Sequence, residues 1–148
     1  MIIIEDTRNQ IGKHKNIKQG FDEEKVVVIR SKLIVGDYAR IDNMTTAIDT
    51  KKDYVELAMD ICGKQHERFR MECIKAQSAG IRLIILVEEN KPVEQWSSPK
   101  RRNGTKLTQV NGITLGKAMN TMHERYGVEF MYCDKKDTAR KIIEILGG

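Results

Sequence analysis

The chain has 148 residues, of which 40% are hydrophobic and 32% are charged, with a formal net charge of +5 and a pI near 9.1. This length suits one domain with a real core, and the apolar content excludes an intrinsically disordered chain. The mild basicity is compatible with a polyanionic partner and equally with an ordinary solvated surface.

The first third of the sequence predicts a β-rich half with short connections. Residues 2–4 form an apolar run that ends in acids, typical of a buried strand that delivers carboxylates at its C-terminal end. Residues 8–18 carry four basic side chains and no acid, and we expect an irregular segment there. Gly36-Asp37-Tyr38 indicates a turn. Further strands are predicted over 25–33, 39–41 and 45–50, with a hairpin turn around 42–43.

Helical periodicity begins at residue 53. Residues 53–62 predict one helix, and a second is predicted to run to about residue 79, with Glu72 among its outward-facing charges. The near-continuous apolar run 82–88 predicts a strand covered on both faces. Residues 90–112 predict a long basic loop. Thr114 is expected to cap a helix that ends at Gly127, before a strand at 128–133 and a helix at 137–146. The order predicts one α/β domain over 1–148, with a mixed sheet flanked by helices.

Several protein classes are excluded by individual features. The three cysteines, Cys62, Cys73 and Cys133, have no CxxC spacing and lie within apolar patterns, so they are interpreted as small buried hydrophobic residues rather than as zinc ligands. The longest apolar run, residues 83–87, is far shorter than the roughly 20 residues of a membrane span. The N-terminal apolar run is too short for a signal peptide. We therefore expect a soluble, cytoplasmic protein that does not interact with membranes.

Catalytic chemistry is predicted for Asp6, Asp37, Asp49 and Lys51. Asp49 and Lys51 are two residues apart in a predicted strand, so their side chains leave the same face. Carboxylates gathered there would repel by about 4 kcal/mol per close pair, which implies a bound cation or a raised pKa. Oxygen ligands of this type suit Mg²⁺, and a nearby lysine can orient or deprotonate a water.

The acid-x-Lys spacing alone is not specific. Chance predicts roughly two such triplets in a chain of this composition, and the sequence contains four, at Glu23, Asp49, Glu89 and Asp134. The Asp49 triplet differs by its apolar lead-in, the Gly-Asp turn before it and the helix after it. From the pattern alone, a solvated hairpin with a surface ion pair remains an equal alternative.

Three motifs sit at predicted strand ends: Ile3-Ile4-Glu5-Asp6-Thr7-Arg8, Val35-Gly36-Asp37-Tyr38 and Ala47-Ile48-Asp49-Thr50-Lys51-Lys52. With Arg68-Phe69 and the strand at 83–89, they resemble the nuclease domain of the XPF-type structure-specific endonucleases, in the PD-(D/E)xK superfamily. Residues 116–148 are similar to compact stand-alone members from phages and bacteria. The resemblance implies a restriction-endonuclease-like fold. It also implies cleavage of branched or partly single-stranded DNA with Mg²⁺ or Mn²⁺, in DNA repair or recombination inside a bacterial or phage-infected cell.

The resemblance also assigns roles at the site. It makes Asp37, Asp49 and the Thr50 backbone carbonyl the metal ligands, Lys51 the catalytic lysine, Asp6 an accessory acid and Arg8 an ordering or phosphate-binding residue. The sequence departs from the family's pattern at three places. Thr50 replaces an arginine, Asn9 replaces a glutamate, and Val55 replaces an aspartate, with Glu56 next to it. A catalytically degenerate DNA-binding or recombination accessory protein is therefore the alternative function.

DNA contacts are expected from basic residues in two acid-free segments and at the start of the second helix: Arg8, Lys13, Lys15, Lys18, Arg68, Lys100, Arg101, Arg102 and Lys106. Such phosphate contacts carry no sequence information and make affinity dependent on salt. Trp96 is interpreted either as a stacking platform for a base or as an anchor of its own loop. The family's helix-hairpin-helix module is expected to be absent, so a homodimer or a partner protein is a further expected source of DNA affinity. No Gly-rich turn after a strand supports a metabolite-binding domain.

Overall fold

The computed structural model describes residues 1–12 and 14–147, and within them six strands form one mixed sheet flanked by five α-helices. The strands are β1 (Ile2–Glu5), β2 (Val27–Arg30), β3 (Tyr38–Arg40), β4 (Asn43–Lys51), β5 (Arg82–Glu88) and β6 (Glu129–Cys133). The helices are α1 (Lys15–Glu23), α2 (Tyr54–Cys62), α3 (His66–Ser78), α4 (Gly112–Tyr126) and α5 (Thr138–Gly147). The predicted α/β architecture is confirmed.

The strand order is β2-β1-β3-β4-β5-β6. β1 pairs in parallel with β2, β3 is antiparallel to both β1 and β4, and β4, β5 and β6 run parallel. The C-terminal ends of β1, β4 and β5 therefore lie at the same edge of the sheet as the start of β3.

The two faces of the sheet are covered by different helices. Ala47 of β4 and Ile85 of β5 face a core cluster that includes Leu57 of α2, Phe69 of α3 and Leu115 of α4. On the opposite face a second cluster joins the sheet to α1 and α5; its members are Ile3, Ile17, Phe21, Tyr38, Ile48, Ile84, Leu86, Ala139, Ile142 and Leu146. β5 contributes buried residues to both clusters, which explains its unbroken apolar sequence.

The N-terminal basic segment is not irregular throughout, as we expected, because α1 begins at Lys15. The helix is amphipathic, and Ile17 and Phe21, four residues apart, are both buried in the second cluster. Its stability comes from packing against α5, which a local composition rich in lysine does not reveal.

The start of α4 also differs from the prediction. Asn111, rather than Thr114, is the N-cap, and its side chain accepts a hydrogen bond from the Thr114 backbone N–H at 2.8 Å. Gly127 ends the helix in the left-handed conformation, as predicted. In the part of the chain that the structure describes, no helix is both long and apolar enough to cross a membrane.

The expectation that all three cysteines are buried is wrong for Cys62, which is the last residue of α2 and is exposed. Cys73 is buried and Cys133 is partly buried.

Candidate active site

The ends of β1, β3 and β4 bring the predicted acids to one edge of the sheet. The Asp6 backbone N–H donates to the Asp37 carbonyl, and the Asp37 N–H donates to the Ile48 carbonyl, each at 2.8 Å. Gly36 precedes Asp37 with a φ of +79°, and a Cβ there would lie 3.1 Å from the Ile48 carbonyl oxygen. Glycine is therefore required for the turn that presents Asp37.

Thr50 holds the Asp37 carboxylate in place. Its backbone N–H and its Oγ1 hydroxyl both donate to Asp37 Oδ2, at 2.8 and 2.9 Å. Both residues are buried. The sequence predicted a role only for the Thr50 carbonyl, and the structure adds this side-chain role at the position where an arginine was expected.

Asp49 and Lys51 leave the same face of β4, as predicted, and form an ion pair with 3.0 Å between Lys51 Nζ and Asp49 Oδ2. Lys51 Nζ also lies 2.6 Å from Oδ2 of Asp60, which projects from α2. The side chain of Lys51 is only 13% exposed, that of Asp49 23% and that of Asp60 16%. The lysine is thus held between two carboxylates from two different elements.

The electrostatics of this group are strongly shifted. Burial, and then the neighbouring Asp37 carboxylate, raise the pKa of Asp49 from 3.8 to about 7, against the lowering effect of Lys51. Burial alone would lower the pKa of the Lys51 ammonium, but the charges of Asp49 and Asp60 outweigh it, and that pKa is raised. Lys51 is therefore protonated at neutral pH, whereas Asp49 exchanges its proton near neutrality.

Asp6 is engaged in holding the local backbone. Its carboxylate accepts from Arg8 Nε at 2.6 Å and from the Leu33 backbone N–H at 2.8 Å, and it is 2% exposed. Arg8 Nη2 donates to the Leu33 carbonyl at 2.9 Å, and Arg8 Nη1 lies 4.0 Å from Glu72 Oε1. The hydrogen bond to Asp6 raises the pKa of Arg8. Arg8 therefore orders this corner of the site.

These side chains line a polar cleft of about 290 Å³ between the sheet and helices α2 and α3. Among the described residues, the charged groups that line it are Asp6, Asp37, Asp49, Glu56, Asp60, Glu72, Arg8, Lys51 and Arg68. Carboxylates outnumber basic groups two to one there, although the chain as a whole is basic. A cation in this cleft would reduce the repulsion among the carboxylates.

Two acids that line the cleft, Asp60 and Glu72, were not predicted as site residues from the sequence. Asp60 lies on α2 three residues after the buried Leu57. Glu72 was expected on the outside of its helix, which is wrong: its side chain is 30% exposed, and burial raises its pKa. A signal was present, because Glu72 follows Phe69 by three residues and precedes Ala76 by four, and both of these are buried.

The residues predicted to bind DNA occupy three places. Arg8 and Arg68 line the cleft. Lys15 and Lys18 are exposed on α1, whose Asn16 donates to the Glu88 carboxylate at 3.0 Å near the same edge of the sheet. Lys13 lies outside the described residues. Exposed side chains of the long loop form the third group, namely Lys100, Arg101, Arg102 and Lys106.

The long loop is more ordered than its sequence predicts. Lys100 and Lys106 form an isolated antiparallel bridge, and the Arg101 N–H donates to the Thr105 carbonyl at 2.7 Å, so residues 99–107 form a small basic hairpin. Trp96, at the base of the loop, is buried with its ring 5.8 Å from that of Tyr54 on α2. Trp96 is therefore an anchor of its own loop, rather than a stacking platform for a base.

The described residues contain no group of three or more histidine, cysteine or carboxylate side chains placed to hold a metal ion. The sequence predicted two acids as metal ligands, Asp37 and Asp49, and the Asp37 carboxylate lies close enough to raise the pKa of Asp49. Two carboxylates with backbone and water oxygens are a usual donor set for Mg²⁺, which commonly keeps several waters. The donor set therefore fits a magnesium-type ion.

The site is thus an Asp-x-Lys pair at the end of β4 in a mixed sheet, facing an acidic cleft under two helices. The profile of the ERCC4 domain matches residues 6–145, and the chain belongs to the ERCC4 domain family. The predicted resemblance to XPF-type nuclease domains is confirmed. No match was found among curated protein sequences.

Two solved structures share this fold. XPF from Aeropyrum pernix superposes with a TM-score of 0.69 at 18% identity over 99% of this chain, and XPF from Aeropyrum pernix in complex with DNA gives 0.65 at 20% identity over 98%. The chain spans 63% and 62% of the length of those two chains.

Proposed function

We propose that this protein is a metal-dependent endodeoxyribonuclease that hydrolyses phosphodiester bonds in branched or partly single-stranded DNA. One observation carries the proposal: Asp37 from one predicted motif lies in the same polar cleft as Asp49 and Lys51 from another. The ERCC4 family membership and the XPF fold support a nuclease that acts on structured DNA.

Asp37, Asp49 and the Thr50 backbone carbonyl would hold the ion, Mg²⁺ or Mn²⁺. Thr50 fixes one oxygen of Asp37 through two hydrogen bonds, which pre-orients the carboxylate. Asp49, with its pKa raised to about 7, gives up its proton readily when a cation binds beside it. When bound, such an ion polarises a phosphoryl oxygen and lowers the pKa of a coordinated water.

Lys51 acts in this proposal as a hydrogen-bond donor rather than as a base. Its raised pKa keeps the ammonium charged at neutral pH, so it can orient a water or contact a phosphate oxygen. Asp60 shares the ammonium with Asp49 and limits its movement. We therefore assign Asp60 as a positioning residue for Lys51. Asp6 has a supporting role, because its carboxylate is occupied by Arg8 and the Leu33 N–H.

DNA would be gripped by the basic hairpin, the exposed lysines of α1 and Arg68 at the cleft. Phosphate contacts from lysine and arginine give affinity that falls with salt. The base of the hairpin packs through Trp96 on Tyr54, at the start of the helix that follows Lys51. A homodimer or a partner protein would supply additional grip.

A catalytically degenerate DNA-binding or recombination accessory protein is the second candidate function. It is favoured by Thr50 at the position of an expected arginine and by Val55, which packs against the apolar core at the position of an expected aspartate. Such a protein would keep the basic surfaces but lose turnover.

The test is incubation of the purified protein with labelled splayed, flapped and duplex DNA, with Mg²⁺, Mn²⁺ or a chelator. We expect metal-dependent cutting, and faster cutting of the splayed and flapped substrates than of the duplex. Salt-sensitive binding with no cutting of any substrate would instead establish the accessory function.

A calorimetric titration with Mn²⁺ tests the metal site separately. We expect wild type to bind the ion and both Asp37→Ala and Asp49→Ala to lose binding. Asp42→Ala is the matched control, because Asp42 is an exposed acid at the β3–β4 turn and pairs with Arg40. Equal binding by Asp49→Ala and wild type would contradict the assigned ligands.

A further inference from the structure

Asn9 carries a buried polar group whose hydrogen-bonding capacity is not used. The residue is 7% exposed, and its Nδ2 atom is buried without a hydrogen-bond partner among the residues that the structure describes. Its backbone, in contrast, is fixed: its N–H donates to the Asp6 carbonyl at 3.2 Å, and its carbonyl accepts from Arg30 Nη2. A buried donor without a partner costs free energy of folding in the free protein, so the presence of such a group needs a physical explanation.

The location of Asn9 supplies that explanation. Asn9 lines the acidic cleft, as do Asp37 and Lys51. The other donors of the cleft are occupied, since Arg8 is bound to Asp6 and Leu33, and Lys51 to two carboxylates. Gln65 and Arg68 are the exceptions, because the side chain of neither makes a hydrogen bond or an ion pair with the described residues, although the charge of Arg68 acts on nearby Glu72.

Three side chains of the cleft therefore have unoccupied donors, namely the amides of Asn9 and Gln65 and the guanidinium of Arg68, and only that of Asn9 is buried. An amide NH₂ needs an oxygen acceptor, and a guanidinium prefers an anionic one. A phosphodiester has non-bridging oxygens that suit both. A neutral amide donor also binds such an oxygen without adding an ion pair to a cleft that is already crowded with charges.

We propose that Asn9 is a substrate-binding residue whose Nδ2 donates to a non-bridging oxygen of a phosphodiester in bound DNA. This inference rests on the proposed function. It assigns a DNA contact to Asn9, a position where the sequence had indicated only a departure from the family pattern. The backbone of Asn9 is held at both ends, so only its side chain has to turn for the buried Nδ2 atom to reach the phosphodiester.

The test compares Asn9→Ala and Asn9→Asp with wild type. DNA affinity is measured with Ca²⁺ in place of Mg²⁺, on flapped DNA that a gel shows to be uncut. Asn120→Ala is the matched control, because Asn120 is an exposed asparagine on α4 and does not line the cleft. The melting temperature of each free protein is measured in parallel.

We expect Asn9→Ala to weaken affinity about tenfold. The slope of log Kd against log salt should not change, because no charge is removed. Asn9→Asp should weaken affinity further, since it replaces the donor with an anion. The melting temperature of Asn9→Ala should not fall, because the donor has no partner to lose.

Two results would overturn the proposal. One is an affinity of both Asn9 variants equal to that of Asn120→Ala. The other is a fall in melting temperature that accompanies the weaker binding, which would mean that Asn9 acts only through the fold. Because affinity is measured on uncut DNA, a wild-type protein that binds but never cuts with Mg²⁺ would contradict the proposed nuclease activity alone.

Discussion

The two faces of the sheet differ in what the helices leave uncovered. On the face covered by α1 and α5, Ile48 and Leu86 are fully buried in an apolar cluster. On the opposite face, Asp49 and Lys51, which belong to the same strand as Ile48, line a polar cleft under α2 and α3. Because successive residues of a strand point to opposite faces, one strand contributes both to the closed core and to the site.

This difference separates stability from chemistry. Both faces gain free energy from apolar burial. The face under α1 and α5, here the closed face, does nothing else, whereas the face under α2 and α3, here the open face, also holds the cleft, where like charges are kept together at a cost that a bound ion would offset. A register shift of one residue in β4 would exchange the two sets of side chains, so the buried isoleucine also fixes where the lysine points. We therefore expect substitutions on the two faces to have different effects.

The largest expected effect is on the open face. Lys51→Met should lower the rate of metal-dependent DNA cleavage by about 10³-fold, because it removes the positioned ammonium. Single-turnover kinetics on flapped DNA measure this. Lys52→Met is the control, since Lys52 is the next residue and is exposed. A Lys52 variant as slow as the Lys51 variant would contradict the assignment.

On the closed face, Ile142→Ala should destabilise the protein by about 2–5 kcal/mol, because Ile142 is fully buried in the cluster of α1 and α5. Urea denaturation measures the change. The cleavage rate per folded molecule should equal that of wild type. Ile113→Ala, at a position 59% exposed on α4, should change stability little. A large rate loss in folded Ile142→Ala would show that the two faces are not separable.

The pH dependence of stability gives a third, smaller effect. Because the pKa of Asp49 is raised in the folded state, its contribution to stability is full below pH about 4 and is lost as the pH rises to about 7. Asp49→Asn should therefore be more stable than wild type at pH 8, by about 1–3 kcal/mol, and the difference should vanish near pH 4. Thermal unfolding across this range measures it.

The control for the pH experiment has the opposite sign. Arg40 lowers the pKa of the exposed Asp42, so any stabilisation from that pair is present at neutral pH and is lost as the pH falls. A difference between Asp49→Asn and wild type that is constant with pH would show that Asp49 is not titrating in the range described.

The smallest expected effect lies at the end of α1. Lys25 has a φ of +58°, a left-handed conformation that disfavours a side chain. Lys25→Gly should stabilise the protein by about 1 kcal/mol without changing cleavage. Chemical denaturation measures the gain, and Lys32→Gly is the control because Lys32 has no positive φ. A loss of stability in Lys25→Gly that equals or exceeds the loss in Lys32→Gly would contradict strain at this turn.

The sequence predicted the parts of the site that depend on local pattern. The i, i+2 spacing of Asp49 and Lys51 was enough to place both on one face, and the Gly36-Asp37 turn was recognisable from its residue types. The strand β5 was predicted with its observed limits because its apolar run is unbroken.

Other parts depend on tertiary contacts that no local pattern contains. Asp60 reaches Lys51 because α2 packs across the end of β4, and α1 is stable because its apolar stripe meets α5. The partial burial of Glu72 depends on α3 packing over the sheet, which places this side chain in the cleft. The side-chain role of Thr50 requires Asp37, thirteen residues earlier, to lie beside it.

The most direct test of the central claim, that the acidic cleft on the open face cuts DNA, is cleavage of flapped DNA by a double variant. Asp49→Ala combined with Lys51→Ala removes both the proposed metal ligand and the proposed donor. If the claim holds, wild type cuts in Mg²⁺ and the folded double variant does not cut at all. Metal-dependent cutting that survives in the double variant would contradict it.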